Sequence, residues 1–432
     1  MSLLLPAPPD ALSRTRVGVR VGGAGRAGVG VASSGRGGAA LVCVALCPPG
    51  APWLADLFPG ALVRATRERD PRSAVEHLRL AGRDRAELLP GLEGPSRSRL
   101  RDALRLALAA GAPAVDLVAV RAGDRPPWRV LDPEVQEAVD PFLAELSGAV
   151  LLYPDFCGPE PVGPGTAAPM EERLAEGLVG VTRAAARWAE RTQVALLDHP
   201  GAQGEHALTL LRALHGADAA LCRWTGDPAA LARHGWRSAA AVVGGGIGAS
   251  PEDYGRSLEG SALALAPGRA GPPSRRGALL LRAAPPAPLE GDEDCVTLAL
   301  RPGLDQATVL REPTLRAPIG AWSLTALRLV KAVHRHILET AERFVFQLVD
   351  DAMAIALTVS LQRALQDFAR RGLLTGPGGD GPPQVKGGAL RSPDAPGLSA
   401  VIAAQIRPWS QAISVRVTLR PGAQPTLEAS WP

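Results

Sequence analysis

Asp198-His199-Pro200, then Glu205-His206, then His215 gather carboxylates and imidazoles behind the apolar run "QVALL". These residue types carry proton transfer and metal ligation, and open α/β sheets keep their sites at the carboxyl ends of strands. The spacing weakens that chemistry. His206 and His215 are not at the i, i+4 interval that brings two helical ligands onto one face, and Glu205 suits a helix N-terminus, where its charge meets the dipole. A strand-to-helix turn is the simpler reading. An α/β hydrolase or a metal-dependent enzyme using Asp198, His199 and His206 is the rival.

The other chemical motifs fail on context. Gly23-Ala24-Gly25-Arg26-Ala27-Gly28 matches G-x-G-x-x-G, but the run after Gly28 is glycine-broken and strand-like, and the next acidic residue is Asp56, not one about 20 positions on. Gly244-Gly245-Gly246 and Gly248 come after "SAAAVV", which reads as a strand. No P-loop lysine stands beyond them, so a tight turn is expected rather than an anion cradle. No serine stands in G-x-S-x-G. The five cysteines (Cys43, Cys47, Cys157, Cys222, Cys295) complete no zinc-like spacing and read as buried, reduced thiols. His334-Arg335-His336 is too closely spaced to share a helix face. No catalytic residue, cofactor or metal is expected.

The chain has 432 residues and a formal charge of +4, carried almost wholly by arginine, since Lys331 and Lys386 are its only lysines. With aromatics at 4%, nothing resembles the basic, aromatic-interleaved surface of a nucleic-acid binder. No run approaches the roughly 20 apolar residues of a membrane span. The start "MSLLLPAPPDALSRTR" lacks a basic lead-in and carries prolines, so no secretory signal is expected, and the chain reads as cytoplasmic.

The elements that would have to position any site fall into three regions. Residues 1–96 hold glycine-rich strand-like runs, "RVGVRV" and "AALVCVAL", and a charged, irregular connector over 60–100. From 97 to 300, helical patterns alternate with short runs that are apolar throughout: "RSRLRDALRLALAAG", "AVDLVAV", "GAVLLYPD", "MEERLAEGLVGVTRAAARWAERT", "QVALLDHP", "GEHALTLLRALHG" and "ADAALCRW". That alternation predicts an α/β domain, doubly wound, with its sheet covered on both faces. Residues 301–432 are α+β. One helix buries Leu327, Val330, Val333, Ile337, Ala341 and Phe344; a second places Leu357, Leu361, Leu365 and Phe368 in register and stops at Gly372; a long loop comes next, then the strands "AVIAAQIRP" and "AISVRVTLRP". Arg328, Lys331 and Arg335, at i, i+3 and i+7, mark a basic stripe on the first of these helices.

The corner "RFVFQLVDD", the helix end "FARRGLLTG" and the proline-separated pair "QIRPWSQAISVRVTL" resemble the C-terminal domain of contractile tail sheath proteins, those of phages and of phage-like contractile injection systems. Upstream, "VALLDHP", "GADAALCRWTGDP" and "LREPTLRAPIGAWS" are similar to that family's elements in the same order, so the resemblance spans about 97–420. It implies a subtilisin-like middle domain without a triad and a sheath-type C-terminal domain. It further implies a structural subunit, not an enzyme, polymerising as a homo-oligomer in six-fold rings around an inner tube, with baseplate and sheath-terminating proteins as partners and neither nucleic acid nor membrane among them. The product would be a phage tail-like particle that contracts to drive the tube through a target envelope; an accessory cap or initiator subunit is the variant reading. On that basis Arg328, Lys331 and Arg335 are expected to face the tube. Val17, Val19, Val21, Val415, Val417 and Leu419 are expected to lie on strands added between subunits.

Overall fold

The computed structural model describes residues 17–20, 41–47, 63–66, 75–81, 98–121, 125–146, 150–156, 170–190, 193–199, 205–225, 238–251, 253–255, 257–265, 294–301, 305–316, 322–345, 349–390, 397–407, 411–420 and 425–430. Two sheets organise them. The first is mixed and eleven-stranded. Its centre is parallel, in the order β5 (Ala114–Arg121), β2 (Leu41–Cys47), β6 (Val150–Leu152), β7 (Val194–Asp198), β8 (Ala219–Thr225) and β10 (Cys295–Arg301). Antiparallel strands extend both sides: β4 (Val75–Ala81), β3 (Val63–Thr66) and β1 (Val17–Arg20) beyond β5, and β11 (Gln306–Arg311) and β9 (Ala262–Ala264) beyond β10.

Strands buried on both faces need apolar residues at every position, which is why the central strands lack polar alternation. In β2, Leu41, Cys43 and Ala45 point into one core while Val42, Val44 and Leu46 point into the other. Helices α1 (Ser98–Ala109) and α5 (Ala239–Ala249) cover the first face; α2 (Pro133–Glu145), α3 (Met170–Glu190) and α4 (Glu205–Leu214) cover the second. Strand β2, from the glycine-rich segment before residue 97, thus lies at the middle of the sheet, between β5 and β6.

Three expectations are corrected. "SAAAVVGGG" is not a strand and turn but the helix α5, begun by Ser238, whose Oγ accepts from Ala241 N. A helix apolar on all sides must be packed on all sides, and residues 239–248 are buried throughout. The glycines permit this: a Cβ at Gly245 would stand 2.3 Å from the Ala107 carbonyl oxygen of α1, and one at Gly244 or Gly246 would meet Leu41 or Leu263 at 2.8 and 2.7 Å.

The second correction concerns 60–100, read as irregular surface, which contributes β3 and β4. Charged residues of β4 hide the pattern because they are matched on β5: Glu76 lies 3.5 Å from Arg121, and His77 Nε2 3.1 Å from Asp116. The third concerns the loop after Gly372. It contains β13 (Gln384–Leu390), paired along its length with β14 (Gly397–Ile406).

The second sheet is antiparallel and five-stranded: β12 (Leu374–Thr375) and β13 both pair with β14, next to which come β15 (Gln411–Leu419) and β16 (Thr426–Ser430). Its inner face alternates Leu398, Ala400, Ile402, Ala404 and Ile406 against Ile413, Val415, Val417 and Leu419, and packs on α6 (Leu324–Glu342) and α7 (Asp351–Arg370). Ser323 and Asp350 cap these helices through Ala326 N and Met353 N. Gly372, at φ 72°, ends α7 as expected. Helix α6 serves two cores: Leu324 and Leu327 lie with the large sheet, while Leu329, Val330, Val333, Ile337 and Ala341 lie with the small one.

Candidate functional site

Asp198 ends β7, where a catalytic acid would stand. Its carboxylate is buried and accepts from Ser238 Oγ at 2.6 Å and from the Ala240 backbone N–H at 2.9 Å. Ser238 Oγ in turn accepts from Ala241 N at 3.0 Å. The acid and the hydroxyl are therefore used to cap the buried N-terminus of α5, and the serine proton is directed at a carboxylate, with no imidazole between them to act as base. His199 is half-buried at the strand end, its backbone N–H donating to Cys222 O at 2.8 Å, and His215 is exposed at the far end of α4. The side chain of His206 lies outside the described residues. Among the described residues no group of three or more His, Cys, Asp or Glu could hold a metal ion.

The thiols fit the same picture. Cys43, Cys47, Cys222 and Cys295 are buried, and burial raises the Cys43 and Cys222 thiols well above their ordinary range, away from the reactive thiolate. Cys157 lies outside the described residues, as do the glycine motif at 23–28 and Val21.

The basic stripe on α6 is corrected most sharply. Lys331 is 2% exposed; its Nζ donates to the Trp188 carbonyl oxygen at 2.9 Å and pairs with Asp218. Arg328 is buried too, donating to the Pro251 carbonyl oxygen at 2.9 Å, with its guanidinium 5.4 Å from the centre of the Tyr254 ring. Burial lowers both cations from their ordinary values, opposed by Tyr254, Glu312 and Asp253 for Arg328 and by Asp218 for Lys331. Both side chains are buried within this chain rather than lying on an exposed stripe. Arg335 is half-buried, with Nε 3.8 Å from Glu339 Oε1.

These cations meet the middle domain at a built junction. Asp218, 1% exposed in the turn between α4 and β8, accepts from Arg316 as well as Lys331, and Arg316 covers the Trp322 ring at 5.4 Å. Nearby, Glu312 Oε2 accepts from Leu258 N at 2.9 Å and Thr325 Oγ1 at 3.1 Å, joining the end of β11 to the first turn of α6. Desolvation raises the Glu312 carboxyl, against the hydrogen bonds that lower it. Sequence reasoning missed Asp218, Arg316 and Glu312. Their only signal was an acidic or basic residue flanking an apolar run.

The expected inter-subunit strands divide. Val415, Val417 and Leu419 are core residues of β15, which is hydrogen-bonded to β14 along its length and to β16 over 414–418, so Val415 and Val417 lie on an enclosed stretch. Val17 and Val19 lie on β1, opposite Thr66 and Arg64 of β3, at the end of the large sheet. The edges of the small sheet are β16 on one side and β12 and β13 on the other. The large apolar side chains exposed among the described residues are Val179 on α3 and the i, i+4 pair Ile355 and Val359 on α7, at 66% and 43% exposure for the pair.

No family model matches the sequence, and no curated protein matches it. Chains of solved structures align with most of this chain, at low identity and TM-scores below 0.5. The helical sheath of the anti-feeding prophage in its contracted state aligns with 90% of this chain and 89% of its own, at 14% identity and a TM-score of 0.47. A chain of the six-fold symmetrised anti-feeding prophage baseplate aligns over the same shares at 13% and 0.47. The contracted PVC sheath complex of an extracellular contractile injection system aligns over 90% and 88%, at 13% and 0.46.

Proposed function

We propose that this chain is a structural subunit of a contractile sheath, assembling as a homo-oligomer in six-fold rings around an inner tube and joined to baseplate and terminating proteins. The observation that carries the reading is the C-terminal module. Helix α6, a corner, α7 with its Gly372 stop, and the β14–β15 pair succeed one another in the order of the sheath-like sequence motifs, and all bury their apolar residues in one core. The middle domain supports it from the other side: an α/β sheet whose best-placed acid and hydroxyl hold a helix end, which we read as a subtilisin-type fold without its triad.

Assembly needs surfaces. Strand addition uses an edge, not an enclosed strand, so β16 and β1 replace β15 as the strands that meet a neighbouring subunit. The apolar ridge of Ile355 and Val359 meets a second copy of this chain, as an exposed apolar pair in a self-assembling protein would. Charged contact with the tube belongs to residues other than Arg328 and Lys331. Negative-stain electron microscopy with size-exclusion chromatography tests the reading. Striated tubes or stacked rings support a main sheath subunit; a monomer that joins tubes only when a second sheath protein is supplied marks an accessory subunit; a monomer inert toward both counts against the proposal.

A further inference from the structure

We infer that Asp218, Arg316, Lys331 and His334 form an acid-released latch between the two domains. The inference goes beyond the sheath reading and does not rest on it. The closed latch is built from one carboxylate and two cations. Asp218 belongs to the large-sheet domain; Lys331 comes from α6 and Arg316 from the connector that leads to it, and both converge on that carboxylate. Lys331 also donates to Trp188 O, a carbonyl of the last turn of α3, where the helix dipole favours a cation. The connector is tied down beside them, with Gly216 N donating to Leu315 O at 2.7 Å and Leu315 N to Ala219 O at 2.9 Å. The Lys331 contacts join α6 to the large-sheet domain, while the Leu315 bonds fix the connector, whose Leu315 side chain lies in the large-sheet core.

His334 is the sensor. It lies one turn beyond Lys331 on α6; the residue is half-buried, but its Nε2 is shut off from solvent. Among the described residues Lys331 on its own helix and Arg316 on the connector act on it, and both of them pair with Asp218; the Nε of its neighbour Arg335 lies 3.8 Å from Glu339 Oε1. Burial first, then the positive charges of Lys331 and Arg316, lowers the imidazole from 6.5 to about 3. In the closed junction His334 is therefore neutral, and a third positive charge there is repelled by the two cations already present. Opening the junction returns the ring to water and its ordinary pKa, so protons favour the open form by linkage. His334 by itself raises the opening equilibrium roughly thirtyfold at about pH 5 over its value near pH 7.5, with the ring titrating near 6.5 when open and well below 5 when closed, and the raised Glu312 carboxyl opposes part of that rise.

Hydrogen exchange on the full, unassembled chain at those two pH values reads this directly, after correction for the intrinsic rates. The expected result is a rise in exchange at Glu312–Arg316 and Leu324–Lys331 in the wild type, approaching thirtyfold once Glu312→Gln removes the opposing carboxyl, without a matching rise at β14 and β15. His334→Leu and His334→Gln are expected to hold the rise to about threefold or less. A folded variant that keeps the wild-type rise overturns the latch, as does a wild-type rise spread equally over β14 and β15, or no rise. If neither variant folds, the wild-type pattern alone decides: localised opening supports the proposal, and uniform or absent opening ends it.

Discussion

Lys331 Nζ and the Trp188 carbonyl oxygen meet at 2.9 Å although 143 residues of chain separate them. That bond, with the pairing of the same ammonium to Asp218, sets the end of α3 against the middle of α6 and turns a lysine of the basic stripe into a core residue. A buried cation held by a carboxylate and a carbonyl is costly to disturb from one side only, because removing either partner leaves a desolvated charge.

Lys331→Ala is therefore expected to lower unfolding stability by about 3–5 kcal/mol, since it strips Asp218 of one of its two cations. The double change Lys331→Met with Asp218→Asn, which removes the carboxylate charge as well as the ammonium, is expected to cost less than the sum of the two single changes. Urea unfolding of the four proteins checks this; additive losses would show that the pair is not coupled.

Acid has two opposing effects at the junction. The His334 pKa is lower folded than unfolded, so its contribution is complete above about 6.5 and is lost as pH falls toward 3, by about 2 kcal/mol at pH 5. The Glu312 pKa is raised from 4.5, so its contribution runs the other way: it is complete below the unfolded value and is lost as pH rises through the folded one. His334→Leu is expected to flatten the acid decline in stability, and Glu312→Gln to steepen it by removing the opposing gain. Denaturant titrations at a series of pH values distinguish the two signs.

Gly245→Ala tests the packing of α5. Alanine would favour a helix by about 1 kcal/mol, but here its Cβ would press on a backbone oxygen of α1 that cannot swing aside. A net loss of about 2–3 kcal/mol is expected from the forced separation of the helices. Gly372→Ala, with open space around its Cβ but φ at 72°, is expected to cost only about 1–2 kcal/mol. Thermal unfolding of both variants ranks the effects.

Ile355→Asp with Val359→Asp leaves the buried side of α7 untouched. Monomer stability is expected to change by less than about 1 kcal/mol while assembly into tubes or rings is abolished. Unchanged assembly would remove this face from the subunit contacts.

Much of the architecture was written in local periodicity. The runs of β5, β7 and β8, apolar at nearly every position, announced strands covered on both faces, and Leu327, Val330, Val333, Ile337 and Ala341 announced the buried side of α6; all five are at 0% exposure. Gly372 marked a helix end because one residue in the left-handed region suffices to stop a helix. Each of these signals depends only on neighbours a few positions away.

The tertiary structure decided what depended on distant partners. Uniformly apolar "SAAAVVGGG" was compatible with strand or helix, and only the close approach of α1, Leu41 and Leu263 to its glycines selected α5. The charges of β4 looked solvated until Arg121 and Asp116 stood beside them. Val415 and Val417 had the alternation of an edge or an inner strand alike, and the arrival of β16 enclosed them. Arg328 and Lys331 had the spacing of an exposed stripe, yet a cation is stable inside when carbonyl and carboxylate oxygens replace its water, and those oxygens come from Pro251, Trp188 and Asp218, far away in the chain. Periodicity records which side of an element is apolar; whether a polar side chain meets water or a distant partner is determined only when the elements close on one another.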